Sequence, residues 1–195
     1  MKSYSIKYCI LSLATLIGCS VNSHSSVYWD EFLKQTNKDS YIELQSKISK
    51  VSGNCTWGSS KNHEVISVEV GQQLYKLIAE GNEFAFRAGL LVMSCLDGGE
   101  LGDFHRSVGL FFEAEPQIFL KIAQENKIPD TTIERMLIML PLDTVDNIDY
   151  AINIIEKRIV VLDTISNSQF DHIKKVGLSF LKNQKEMLER IKKEN

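Results

Sequence analysis

From residue 27 onward, apolar side chains recur at three- and four-residue intervals in one segment after another, each broken by a capping residue, a glycine or a proline. That is the pattern of amphipathic helices joined by short turns. Tyr28, Trp29, Phe32 and Leu33 share one face of a first helix capped by Ser26. Tyr41, Leu44, Ile48 and Val51 share a face of a second, opened by Ser40 and stopped by Gly53-Asn54. Residues 51–62 read as a loop carrying Cys55 and Trp57. Residues 65–78 fit two periods, because Ile66, Val68 and Val70 alternate as in a strand while Ile66, Val70, Leu74 and Leu77 share a helical face. The helical surroundings favour helix.

Asn82 is expected to cap residues 83–96, which are apolar on nearly every side, so this segment is expected to be the central, all-round buried helix, ended by Asp97-Gly98-Gly99. A partner helix follows over 100–113 through Leu101, Phe104, Val108, Phe111 and Phe112. Pro116 opens residues 117–126, with Pro129 beyond its end. Thr131 and Glu134 suggest a capping box for residues 133–140, Pro141 resets the chain, and Asp143 or Thr144 starts a helix through Ile148, Ile152 and Ile155. Phe170, Ile173, Gly177, Phe180, Gln184, Met187 and Ile191 form a stripe along a terminal helix of about six turns, widened by Val176, Leu181 and Leu188 into a docking face. The pattern predicts an all-α fold, an irregular bundle of antiparallel helix pairs, with a short α-solenoid-like helical repeat as the alternative.

The first eighteen residues follow other rules. Lys2 and Lys7 precede an apolar run from Tyr8 to Ile17 that is too short to span a bilayer, and Gly18 supplies a small residue for a peptidase. Leu16-Ile17-Gly18-Cys19 resembles the lipobox of bacterial lipoproteins, over residues 1–19 only. That resemblance implies that the cysteine is diacylated, residues 1–18 are removed, and the new amino terminus is acylated. Residues 19–26 then form a lipidated, serine-rich tether, and residues 27–195 a single all-helical domain. In the enterobacterial sorting pattern an aspartate after the lipidated cysteine marks inner-membrane retention. Ser20 therefore resembles the outer-membrane-sorted kind, facing the periplasm in a cell with two membranes.

Charge narrows the partners. Loss of Lys2 and Lys7 leaves 20 basic against 25 acidic residues, a formal charge of −5, which disfavours nucleic acid. Only residues 168–195 are basic, with seven cationic and four anionic side chains. With Cys9 removed and Cys19 lipidated, Cys55 and Cys95 remain. An oxidising compartment favours a disulfide between them, two separate buried thiols being the alternative. Asn54-Cys55-Thr56 matches a glycosylation acceptor, but the bacterial signal discounts it.

Candidate chemistry is sparse. Asp97, Glu100, Asp103, His105 and Glu113 surround the Gly98-Gly99 turn, where carboxylates could hold a hard cation and His105 could act as a base. Acidic residues near a helix start also complement the macrodipole, and a solvent-facing His105 needs no catalytic role; that explanation carries more weight, and it covers Asp143, Asp146 and Asp149 as well. His63-Glu64 begins a zinc-protease motif, but Ser67 stands where its second histidine belongs. Asp171 and His172 are neighbours whose side chains diverge on a helix. No nucleophile elbow or phosphate loop is present.

The expectation is therefore a membrane-anchored envelope lipoprotein, without cofactor or enzymatic activity, whose helical domain binds a protein partner. An immunity-type protein against an envelope-targeted toxin is its narrower form. A general envelope scaffold and a hydrolase or metal-dependent enzyme built around His105 are the alternatives. Replacing the acylated residue tests the anchor: Cys19→Ala should abolish incorporation of a fatty-acid analogue, since acyl chains at ~0.8 kcal/mol per buried CH₂ provide the attachment. Equal labelling of the variant would sink the lipoprotein resemblance.

Overall fold

A computed structural model describes residues 24–52 and 65–194. The predicted signal peptide, Cys19, Cys55, Trp57, His63 and the Gly53-Asn54 stop lie outside those residues. Nine α-helices occur among them: α1 (His24–Lys34), α2 (Lys38–Ser52), α3 (Val68–Ala79), α4 (Glu83–Val92), α5 (Gly98–Ala114), α6 (Pro116–Glu125), α7 (Asp130–Ile138), α8 (Ile148–Thr164) and α9 (Asp171–Glu194). No strand occurs among the described residues, so the fold is all-α. None of these helices is long and apolar enough to cross a membrane.

The odd-numbered helices stack in chain order, α1 on α3, α3 on α5, α5 on α7 and α7 on α9. The even-numbered helices cover this row: α2 packs on α4, α6 on α5 and α9, and α8 on α9. Arg87 of α4 bonds both Glu83 and, across to α6, Glu125, each at 2.8 Å. This order has the successive character of a helical repeat within an irregular bundle. With neighbouring helix axes about 9 Å apart, four steps separate α9 from α1 by at most roughly 35 Å.

Several predicted boundaries shift because a different residue satisfies the free backbone N–H groups of a helix start. Helix α1 begins at His24, so Ser26 lies inside it rather than capping it, and the tail of the serine-rich stretch is helical. Asn37, not Ser40, caps α2: its Oδ1 accepts from the N–H groups of Asp39 and Ser40, while Ser40 Oγ accepts from Asn37 N–H. Ser67 caps α3 and Asn82 caps α4, as its side chain suggested. Residues 93–95 tighten into a 3-10 turn, so Gly98 does not end α4 but begins α5 with φ at +44°. Helix α7 starts at Asp130 directly after Pro129 without a side-chain cap, which removes the Thr131–Glu134 box. Residues 142–144 form a 3-10 turn and α8 begins at Ile148 under Asn147, later than Asp143 or Thr144 would place it.

The central helix is also different. In α4, Phe84, Leu90 and Leu91 remain half-buried, whereas α5 contributes Phe104, Val108, Phe111 and Phe112 with no exposed surface and touches α3, α4, α6, α7 and α8. Phe86, Phe111, Phe112 and Phe119 form the aromatic centre where α4, α5 and α6 meet. At the amino-terminal end, buried Trp29 donates through Nε1 to the Val65 carbonyl at 2.8 Å, pinning α1 to the entry of α3. Helix α9 docks as expected, but through Ile173, Gly177 and Leu181, with Met187 and Ile191 left exposed.

Helices α8 and α9 run antiparallel with matched charges. Asp149 pairs with Lys192, and one heptad along each helix Glu156 pairs with Lys185 at 2.9 Å. Lys174 then donates to the carbonyls of Asp163 and Ile165, closing the far end of α8.

Two glycines on α5 separate close approach from open space. A Cβ on Gly109 would meet Arg158 Nη2 at 2.8 Å and the carbonyl oxygens of Met136 and Met139 at 3.0 Å, whereas one on Gly102 would meet only Arg106 Nη1, at 3.5 Å. Gly102→Ala should stabilise the fold by about 0.5–1 kcal/mol through helix propensity. Gly109→Ala should destabilise it by about 2 kcal/mol, because overpacking against fixed backbone outweighs that gain. Urea denaturation of the two variants tests the contrast, and equal effects would contradict this packing.

Candidate functional site

Of the residues grouped around Gly98-Gly99 in sequence, Glu100 and Asp103 stay together on one face of α5, whereas His105 and Glu113 lie elsewhere on it. Asp97 stands before α5 without a side-chain hydrogen bond to it, and Asp103 pairs with Arg106 at 2.6 Å. Glu100 and Asp103 face Tyr75 of α3, whose hydroxyl is pushed well above its ordinary pKa by burial first and these carboxylates second. Glu113 lies at the opposite end of α5, where Arg158 engages it. Among the described residues, no group of three His, Cys, Asp or Glu side chains is placed to hold a metal ion.

His105 corrects the expectation of a solvent-facing residue. It is 3% exposed, and its Nε2 has no hydrogen-bond partner among the described residues. Burial, with a smaller contribution from the Arg135 charge, lowers its pKa to about 4. A general base must reach a substrate proton and needs a pKa near working pH; enclosure and that shift oppose both requirements. The other histidine of interest, His172, diverges from its neighbour Asp171 and meets Asp130 of α7 at 3.2 Å on an exposed surface. Cys95 is buried and disulfide-bonded. Its expected partner, Cys55, lies outside the described residues.

A concave surface at the α9 end has little signature in the sequence. Leu140, Thr144, Val145, Asp146, Ile148, Ala151, Leu188 and Ile191 line a groove of about 420 Å³ between the α7–α8 turn, the first turn of α8 and the last turns of α9. Thr144 is buried and its hydroxyl donates to the Pro141 carbonyl, so it offers no free donor to the groove. Val145 is 75% exposed and Leu142, on the same turn, 63%. Among the described residues, eight large apolar side chains are exposed; Val145 and Ile191 line this groove, and Leu142 and Met187 lie on the same turn and the same helix respectively. Isolated exposed apolar residues are ordinary, but a contiguous patch marks an interaction surface. Asp149 is neutralised by Lys192, while Asp143 and Asp146 have no ion pair among the described residues.

No family model, curated protein or solved structure matches the chain.

The position of His105 has a pH signature. An unfolded chain takes up the imidazole proton near pH 6.5 and the folded protein only near pH 4, so stability falls as pH drops through that window and levels off below it. His105→Met should remove about 3 kcal/mol of this acid-dependent loss, leaving the contribution of carboxylates common to both proteins. Urea denaturation at pH 7, 5.5 and 4 measures it. Parallel pH profiles would show that His105 is not held neutral by its surroundings.

Proposed function

We propose that this chain is a lipid-anchored envelope protein that works by binding another macromolecule. The observation that carries this proposal is the exposed apolar groove at the α9 end of the helix row, opposite the end where the chain enters at α1. An anchor at Cys19 precedes His24 by only five residues, a reach of about 18 Å fully extended, which keeps α1 beside the bilayer. Four helix-to-helix steps separate the groove from α1. The enclosed His105, with its lowered pKa, favours binding over a hydrolase or metal-dependent enzyme built around that residue.

In its narrower form, the partner is a toxin delivered into the envelope, which the helical domain occludes. Tagged full-length protein, extracted from its own envelope in mild detergent, should retain a protein partner in fixed ratio that resists washing. Recovery of lipid alone would overturn the binding proposal. A growth competition against toxin-delivering neighbours, with and without the gene, separates the two forms: loss of protection supports the immunity version, and unchanged competition supports general scaffolding.

A further inference from the structure

We propose that the groove at the α9 end receives a segment of a different protein that presents apolar side chains flanked by lysine or arginine, resting on the partner-binding function above. The floor supplies the apolar half of this specificity. Leu140, Ile148 and Leu188 are half-buried, and Val145 and Ile191 stand exposed on either side, so an inserted aliphatic or aromatic side chain would be enclosed by both walls.

Charge supplies the other half. Among the described residues, Asp146 is the only ionisable one in the lining, and Asp143 lies on the same turn; neither has an ion pair there. The neighbouring Asp149 and Lys192 neutralise each other, and Lys185 is engaged by Glu156 and Glu189. Arg190 and Lys193 on the last turns of α9 offset part of the aspartate charge, but with Asp143, Asp146 and Glu194 the balance at the lip stays negative, which attracts a basic flank and opposes an acidic one. A second copy fits poorly, because a two-fold contact through this patch would bring Asp146 towards its own counterpart. Anionic headgroups meet the same repulsion.

The test places a photocrosslinking amino acid at Val145 in the full-length protein in its source cells, with the same substitution at exposed Ile42 on α2 as a distant control. The expected product is an adduct at position 145, absent at position 42, whose crosslinked segment has apolar residues flanked by basic ones. Its yield should fall at least tenfold in Ile191→Asp and in Asp146→Lys. These positions are exposed or line an open groove, and an unchanged melting temperature would confirm that each variant folds. An adduct to a second copy, to the chain's own residues 1–18, to lipid, or to an acidic segment would overturn the proposal. Adducts confined to other faces would overturn the groove assignment while leaving macromolecular binding intact. Absence of protein adducts from crosslinkers spread over every helix would remove both.

Discussion

The buried guanidinium of Arg158 is the interaction on which the carboxy-terminal half of the fold depends. It has no exposed surface, and its Nε and Nη2 both donate to Glu113 Oε1 while Nη1 donates to the carbonyls of Leu137 and Met139. One side chain of α8 thus closes the end of α7, whose final carbonyls have no partner within the helix, and ties both to the end of α5. Burial lowers the arginine pKa and Glu113 opposes that shift. A guanidinium starts so high that it stays charged. Desolvation offsets much of the attraction in such a pair, yet removal of one partner would strand a buried charge at about 3–5 kcal/mol. Its main contribution is therefore geometric, fixing where α7 ends and how α8 crosses it. The bare face of Gly109 makes room for the arrangement.

Helical periodicity made the all-α class and most of the segments legible, because apolar spacing reports directly which face packs. Asn82 and Pro116 marked helix starts correctly for the same reason, each acting through its own local chemistry. Boundaries failed where two cap candidates competed, as with Asn37 and Ser40, or where a glycine could serve either adjoining helix, as at Gly98. The central position passed from α4 to α5 because apolar composition alone does not count neighbours, and α5 has helices on several sides.

The candidate site was less legible. Glu100 and Asp103 share a face of α5, but helical phase turns His105 into the core and the length of α5 carries Glu113 away to Arg158. Leu142 and Val145 carry no periodic signal because a short 3-10 turn has too few residues to display one. Arg158 did leave a signal: it interrupts an apolar face between Ile154 and Leu162, where a charged residue at core spacing requires a buried partner. Glu113 could not be identified as that partner from sequence, since the pairing spans 45 positions and two intervening helices.

The residues that seat α9 and those that shape the groove occupy different parts of one helix. Ile173, Gly177 and Leu181 are buried in its first half, whereas Leu188 and Ile191 form the groove wall near its end. Proteolytic trimming by two turns would therefore dismantle the wall and the Lys192–Asp149 contact while sparing the buried docking residues. Chain length at this terminus can consequently act as an adjustable dimension of recognition, open to variation without rebuilding the interior.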